Sequence, residues 1–124
     1  MNVKLDTKEK FHVIKILETS FYANMTEDLL QTFNNCMQTD VKNVIINLEQ
    51  VTMMDKEAAL ALCNIQQASY EKGHSLVICC LNKDVEAWLD SEEILEVMNV
   101  TPTESEAMDV VQMEEIEREM FNED

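Results

Sequence analysis

Glycine, proline, tryptophan and positive charge are all scarce in this chain of 124 residues. It contains one Gly, one Pro, one Trp and 9 basic residues against 25 acidic ones. With a single Gly, the chain cannot build the glycine-rich loops that cradle nucleotide phosphates, nor the sharp turn that presents a nucleophilic serine. We therefore expect neither a nucleotide-binding loop nor a nucleophile elbow.

The formal net charge of −16 excludes further classes of partner. It repels phosphate backbones and anionic membrane surfaces, so we expect no binding to nucleic acid or membrane. Residues 1–83 carry 10 acids and 8 bases, whereas residues 84–124 carry 15 acids and one base, Arg118. The apolar runs are shorter than the ~20 residues of a membrane span, and the N-terminus lacks a signal-peptide pattern. The expectation is a cytoplasmic protein.

The cysteines and histidines indicate no metal site, cofactor or catalytic group. The four cysteines are Cys36, Cys63, Cys79 and Cys80. They show no CxxC spacing, and adjacent cysteines in a strand should point to opposite faces, away from a common metal. His12 and His74 have no Cys or Ser nucleophile beside them in sequence. We predict buried reduced thiols and two surface histidines.

The first third of the chain predicts a hairpin followed by a helix. Alternating segments at residues 3–7 and 11–17 flank a polar turn, which is typical of a β-hairpin. A helical period over residues 26–37 follows, and Thr26 is of a residue type that caps helix N-termini.

The middle of the chain predicts a βαβ unit. Apolar, strand-like segments at residues 41–51 and 75–81 enclose a helix from Asp55 to Lys72, the pattern of parallel strands joined by a helical crossover. The only glycine, Gly73, lies where a left-handed helix cap belongs.

The last part predicts a short helix over residues 83–89, a short strand near residues 98–101 and a final helix. Thr103 and Glu106 have the spacing of a capping box for that last helix. The element order is thus β-β-α-β-α-β-α-β-α, which predicts a single α/β domain over residues 1–124. Its sheet should be mixed, with four or five strands, and about four helices should cover it.

We predict that residues 114–124 extend or fray from the last helix as an acidic segment. Ile116, Met120 and Phe121 give this extension an apolar stripe. The stripe is interpreted either as an overhang packed on its own domain or as a docking surface.

The junction between the central strand and the long helix carries a family resemblance. Residues 51–55, VTMMD, resemble the Val-Ser-Phe-Met-Asp run that precedes the phosphorylation loop of STAS domains, the fold of anti-sigma factor antagonists. The element order is similar to that family over nearly the whole chain. In the family's antagonists, a kinase-type anti-sigma factor phosphorylates a serine two positions after the Asp, and phosphorylation abolishes the complex. Glu57 holds that position here, while Lys56 and Ala58 replace the family's first serine and its glycine.

The leading hypothesis is a non-catalytic protein–protein interaction module that resembles an anti-sigma factor antagonist. Its predicted partner-binding residues are Met53, Met54, Asp55, Lys56 and Glu57, and the exposed side of the long helix is predicted to contribute to the same surface. The resemblance implies an anti-sigma factor of the ATP-binding kinase type as the partner. Because glutamate offers no hydroxyl, serine phosphorylation at the usual loop cannot switch this chain.

Two roles stay open at this junction. Glu57 either imitates a phosphorylated serine or is only a first-turn acid that stabilises the helix dipole by ~0.3–1 kcal/mol. Asp55 is the expected N-cap of the long helix, and by resemblance it is also part of the partner surface.

Two alternative functions would use other parts of the fold. A small-ligand-binding or enzymatic domain would use the crevice at the carboxyl ends of the parallel strands, near Asp55 and Asn82. A homodimeric scaffold would associate through the apolar stripe of the last helix.

Overall fold

A computed structural model describes residues 1–121, and its elements follow the predicted alternation. Strands β1 (Val3–Thr7) and β2 (Phe11–Ile16) form the predicted antiparallel hairpin. The other elements, in chain order, are β3 (Ser20–Phe21), a 3₁₀ turn (Ala23–Met25), α1 (Thr26–Met37), β4 (Asn43–Asn47), β5 (Met53–Met54), α2 (Lys56–Glu71), β6 (Leu76–Cys79), α3 (Lys83–Ser91), a second 3₁₀ turn (Leu95–Val97), β7 (Val100–Thr101) and α4 (Glu104–Phe121).

Five strands form one mixed sheet in the order β1-β2-β4-β6-β7. Strands β2, β4, β6 and β7 are parallel, and β1 is the antiparallel edge strand. All five residues of the central strand β4 are buried, which explains its unbroken apolar centre, since a strand covered on both faces has no solvent side. The predicted mixed sheet with four α-helices is confirmed for the part of the chain that the structure describes.

Helices cover both faces of the sheet. One face packs against α1, α2 and α3 in a core that includes Ile14, Ile46, Ile78, Leu29, Leu62 and Leu89. The opposite face packs against α4 in a smaller core of Phe11, Val13, Ile45, Val77, Cys79, Ala107 and Val111. This second face is covered by a single helix, so its margin at the carboxyl ends of the strands stays open.

The ends of α2 agree with the prediction. Asp55 is the N-cap and Lys72 the C-cap, and Gly73 follows with a φ of +78°. The left-handed conformation at Gly73 is the one that glycine adopts most readily after a helix.

Thr26 does not cap α1, contrary to the prediction. Met25 holds the N-cap position, and the Thr26 hydroxyl donates to the carbonyl of Ala23 at 2.8 Å. A 3₁₀ turn runs directly into α1, so the chain is already helical before Thr26 and the predicted boundary has no extended residue to cap.

The prediction of two surface histidines is wrong. The His12 side chain is 1% exposed, and its ring nitrogens lie 2.9 Å from the Thr7 hydroxyl, 3.0 Å from the Thr39 hydroxyl and 2.9 Å from the Val41 carbonyl. Strand β2 is an inner strand, so a polar side chain on it must be satisfied by the protein. His74 is half-buried, and that burial, with Lys42 and Arg118 nearby, lowers its pKa.

All four cysteines are free thiols, as predicted. Cys36 and Cys79 are buried, whereas Cys63 and Cys80 are half-buried. The expectation that Cys79 and Cys80 point to opposite faces is wrong, because their sulfur atoms lie 3.3 Å apart. Strand β6 ends at Cys79, and Cys80 has a φ of +66°, so the alternation of a strand does not extend to it.

Helix α4 reaches Phe121 and is held by polar contacts near its end. Tyr70 donates to the Glu114 carboxylate at 2.8 Å, and the Asn43 amide donates to Glu115 at 2.7 Å. The apolar stripe is exposed: Ile116 is 57%, Met120 69% and Phe121 86% accessible. The stripe therefore does not pack on its own domain. The predicted extension also includes residues 122–124, which lie outside the described residues.

Across residues 1–121, none of the helices combines the length and the apolar character that a bilayer span requires.

Candidate functional site

The strand-to-helix junction at residues 53–57 is fixed by a second, two-stranded sheet. Strand β5 lies parallel to β3, and the two pair over two residues each. The backbone N–H groups of Thr52 and Met53 both donate to the carbonyl of Thr19, at 2.7 and 3.2 Å. The Thr52 hydroxyl donates to the same carbonyl at 3.1 Å. These bonds hold the junction against the segment that follows the hairpin.

Asp55 joins three parts of the chain. One carboxylate oxygen accepts from the N–H of Ala58 at 2.9 Å, which caps α2. The other accepts from the N–H of Ala23 at 3.1 Å, in the 3₁₀ turn that leads into α1. Both bonds are charge-assisted and therefore stronger than bonds between neutral groups. Both oxygens are directed into the protein, so Asp55 is a structural centre of the junction.

Met53 and Tyr22 give the junction an apolar surface. Met53 is 53% exposed, and the Tyr22 hydroxyl donates to its sulfur at 3.6 Å. Met54 is half-buried and packs against the larger core. A shallow cavity of about 290 Å³ adjoins them, and it is lined by Tyr22, Thr52, Met53, Met54, Asp84, Val85 and Trp88. The wall opposite Met53 thus comes from α3.

Lys56 and Glu57 form the exposed first turn of α2. The Lys56 ammonium lies 4.0 Å from the Glu92 carboxylate, a pair open to solvent that adds little stability. Within residues 1–121, the Glu57 side chain has no hydrogen-bond or ion-pair partner. As an acid in the first turn of a helix, it interacts favourably with the positive end of the helix dipole. Both side chains are available for contact from outside.

The outer sides of α1 and α2 extend the apolar surface beyond residues 53–57. Leu30 and Leu60 are each 44% exposed. A groove of about 330 Å³ separates the two helices, and Leu30, Phe33, Ala61 and Ile65 contribute to its lining. Sequence reasoning missed Tyr22 and Leu30, whereas Leu60 lies on the exposed side of α2, which was predicted to contact the partner. The sequence indicates that Leu60 is exposed, because the buried residues of α2 lie on the opposite side of the helix.

The structure does not bring Asp55 and Asn82 into one binding crevice. Asn82 is the N-cap of α3, and its side-chain oxygen accepts from the N–H of Asp84 at 2.9 Å. The crevice at the carboxyl ends of the strands has a volume of about 470 Å³, and neither Asp55 nor Asn82 lines it. Its lining includes Lys15, which forms an ion pair with Glu49. The two residues predicted for a ligand site are thus engaged as helix caps.

No cluster of metal ligands accompanies these sites. Within the described residues, no group of three or more His, Cys, Asp and Glu side chains is placed to hold a metal ion.

Comparison with known proteins gives one family and a set of similar folds. The sequence matches the family model described as the STAS domain over residues 2–107. A candidate anti-sigma factor antagonist from Thermotoga maritima has a TM-score of 0.75 at 16% identity, over 89% of this chain and 94% of that one. A serine-to-glutamate variant of RsbS from Moorella thermoacetica has a TM-score of 0.72 at 16% identity, over 90% of this chain and 96% of that one.

A transporter-related protein shares the same fold. A sulfate transporter family protein from Wolinella succinogenes has a TM-score of 0.72 at 15% identity, over 88% of this chain and 90% of that one. No curated protein sequence matches the chain significantly. At these identities the structural likeness shows the fold, and function has to be argued from the site.

Proposed function

This chain belongs to the STAS domain family, and we propose that it is a non-catalytic protein–protein interaction module of the anti-sigma factor antagonist type. We propose that residues 1–124 form one such domain. The observation that carries the proposal is the exposed, rigidly held junction at residues 53–57. Solved structures of similar fold include a candidate anti-sigma factor antagonist and RsbS.

A preformed surface favours binding because little order has to be gained on association. The β3–β5 pairing and the two bonds of Asp55 fix the backbone of the junction before any partner arrives. Ordering of loops and side chains at an interface otherwise opposes binding. The junction therefore presents Met53, Lys56 and Glu57 on a backbone that is already in place.

The side chains at the junction have the chemistry of an interface. Met53 and Tyr22 supply exposed apolar area, and methionine adapts its shape to different partners. Lys56 and Glu57 supply a polar rim next to this apolar centre, the usual arrangement of a protein interface. Asp55 contributes mainly by holding the backbone, since both of its oxygens are already bonded.

The proposed module is not switched by serine phosphorylation at this loop. Glu57 stands at the position of the family's phosphorylated serine, and a carboxylate cannot accept a phosphoryl group as a serine hydroxyl does. It carries a permanent charge of −1, whereas a phosphoserine carries about −1.5 to −2. We infer an interaction that is constitutive at this position.

The proposed partner is an anti-sigma factor of the ATP-binding kinase type. The acidic first turn of α3 adjoins the junction through Asp84 and favours a partner with a basic contact face, since complementary charge speeds association. The ligand-binding or enzymatic alternative has less support, because the two residues predicted to serve it are helix caps.

The experiment compares affinity capture by the wild-type chain with capture by Met53→Lys and Glu57→Lys. Glu106→Lys is the matched control, since Glu106 is also an exposed acid in the first turn of a helix but lies on α4, across the sheet. We expect wild type and Glu106→Lys to retain the same kinase-type partner, and the two junction variants to lose at least about 90% of it, which corresponds to ~1.4 kcal/mol. Equal retention by all four chains would place the partner surface elsewhere.

A further inference from the structure

Two neighbouring thiols at the end of β6 face each other. The Sγ atoms of Cys79 and Cys80 are 3.3 Å apart, with the Cys80 thiol donating to the Cys79 sulfur. Successive side chains of a regular strand point to opposite faces. Cys80 departs from that rule because its φ of +66° lies in the left-handed region, which residues other than glycine rarely adopt. The turn of the backbone at Cys80 accompanies the approach of the two sulfurs.

The two thiols differ in access to solvent. Cys79 is buried in the core between the sheet and α4, and burial raises the pKa of its thiol. Cys80 is half-buried and lines the open crevice of about 470 Å³ at the carboxyl ends of the strands. A small reagent from solvent therefore reaches Cys80 first and finds Cys79 directly behind it.

We propose that Cys79 and Cys80 are a dithiol modification site, which low-molecular-weight disulfides such as oxidised glutathione convert into a vicinal disulfide. The Cys80 thiolate attacks one sulfur of the glutathione disulfide, forms a mixed disulfide and releases one glutathione thiolate. The Cys79 sulfur then attacks the Cys80 sulfur, and the Cys79 proton passes to the glutathione thiolate that this attack expels, which leaves as the second glutathione thiol. The protein dithiol loses two electrons, and the glutathione disulfide is reduced to two thiols.

The geometry makes this oxidation reversible. Adjacent Cα atoms lie about 3.8 Å apart, below the ~4.4–6.8 Å of ordinary disulfides, so the product is strained. The peptide between the two cysteines is also held on both sides. The Cys79 carbonyl accepts from the Leu48 N–H at 3.1 Å, and the Cys80 N–H donates to the Thr101 carbonyl at 3.2 Å. Strained disulfides are easily reduced and belong to the labile, regulatory class.

The fluorescence of Trp88 can report on the formation of the disulfide. Cys79 pairs with β4 and β7, so closure to a sulfur–sulfur distance of about 2.05 Å must displace mainly Cys80. Cys80 lies two residues before Asn82, the N-cap of α3, and α3 carries Trp88, the only tryptophan. Trp88 packs partly buried against the core. We expect its fluorescence to change when the disulfide forms.

The test incubates the reduced full-length chain with oxidised glutathione at mildly alkaline pH, blocks the remaining thiols with iodoacetamide and digests the chain with trypsin. Lys72 and Lys83 bound a tryptic peptide, residues 73–83, that contains both cysteines. The expected peptide carries neither glutathione nor the blocking group and is lighter by two hydrogen atoms than its reduced form. Dithiothreitol is expected to restore two reactive thiols, and the fluorescence of Trp88 is expected to return with them.

Three variants separate the two steps. In Cys80→Ser, the peptide of residues 73–83 is expected not to react with oxidised glutathione. In Cys79→Ala, the reaction is expected to stop at a mixed disulfide between glutathione and Cys80. Cys63→Ser, the matched half-buried thiol outside the pair, is expected to leave the product unchanged. The proposal is overturned if the wild-type peptide stays fully blocked by iodoacetamide, if it stops at a stable mixed disulfide, or if Cys36 or Cys63 is oxidised in its place.

Discussion

Replacing Asp55 with alanine removes two hydrogen bonds, one that caps α2 and one that holds the junction to the turn before α1. The Ala58 N–H loses its 2.9 Å bond at the start of α2, and the Ala23 N–H loses its 3.1 Å bond in the turn before α1. Because Asp55 is half-buried, water can replace the two lost hydrogen bonds only in part.

The two losses can be estimated separately. An N-cap Asp replaced by Ala costs about 1 kcal/mol. A partly buried N–H left without an acceptor costs about 1–3 kcal/mol. The free energy of unfolding of Asp55→Ala should therefore fall by about 2–4 kcal/mol. A domain of 124 residues has a stability of about 6–19 kcal/mol, so the variant still folds.

Urea unfolding at neutral pH measures this difference. With an m-value of about 2 kcal/mol/M, the midpoint should fall by about 1–2 M. Glu57→Ala is the matched control, because it removes a first-turn acid of the same helix that has no hydrogen bond, and it should cost at most about 1 kcal/mol. Asp55→Asn should fall between the two, since asparagine caps helices as well as aspartate does but offers a single oxygen. If Asp55→Ala costs no more than Glu57→Ala, the account of the junction is wrong.

Three further predictions concern other parts of the chain. Burial, with the Glu114 carboxylate beside it, raises the pKa of Tyr70 to about 12. The stability that the neutral phenol contributes is therefore fully present below about pH 10 and is lost as the pH rises towards 12. Tyr70→Phe should therefore unfold about 1–2 kcal/mol more easily at pH 7 and show less additional loss at high pH, as measured by urea unfolding at both pH values. Gly73→Ala should lose about 1 kcal/mol in the same assay because of the φ of +78°, and no steric term should add to this, since a Cβ there meets nothing within 4 Å. Met120→Ser combined with Phe121→Ser tests the homodimeric scaffold by sedimentation velocity: we expect the wild type to sediment as a monomer because the acidic residues of α4 repel a second copy, and a wild-type dimer that the double variant dissociates would support the scaffold.

The elements that could be predicted are those with local signals. The boundaries of α2 followed from Asp55 at its start and Gly73 after its end, which are two residue types with defined conformational roles. The βαβ unit followed from two apolar segments around an amphipathic helix. Such signals lie within a few residues of the feature that they indicate, so a single sequence contains them.

The features that escaped prediction depend on distant partners. Strands β3 and β5 have two residues each, too few to show a period, and they exist because Ser20 pairs with Met53. His12 is buried because Thr39 and Val41, far along the chain, satisfy its ring. The proximity of Cys79 and Cys80 depends on the left-handed backbone conformation of Cys80. Glycine is the usual sequence signal of that conformation, and no glycine stands at this position.

The candidate site divides in the same way. The junction at residues 53–57 could be located from its position between strand and helix. The second oxygen of Asp55 accepts a hydrogen bond from Ala23, more than thirty residues away, and no local sequence pattern indicates that bond. Tyr22 and Trp88 come to the junction through tertiary packing alone.

The most direct test of the proposed function is affinity capture from the native organism's lysate with wild-type and Glu57→Ser baits, followed by addition of ATP and mass spectrometry. The account predicts that both baits retain the same kinase-type anti-sigma factor. After ATP is added, the Ser variant should be phosphorylated at position 57 and released, while the wild type stays bound because Glu57 cannot be phosphorylated. Capture of the kinase by the Ser variant alone would show that Glu57 imitates a phosphorylated serine, and it would contradict the account. Absence of any such kinase from both baits, or release of the wild type by ATP, would contradict it as well.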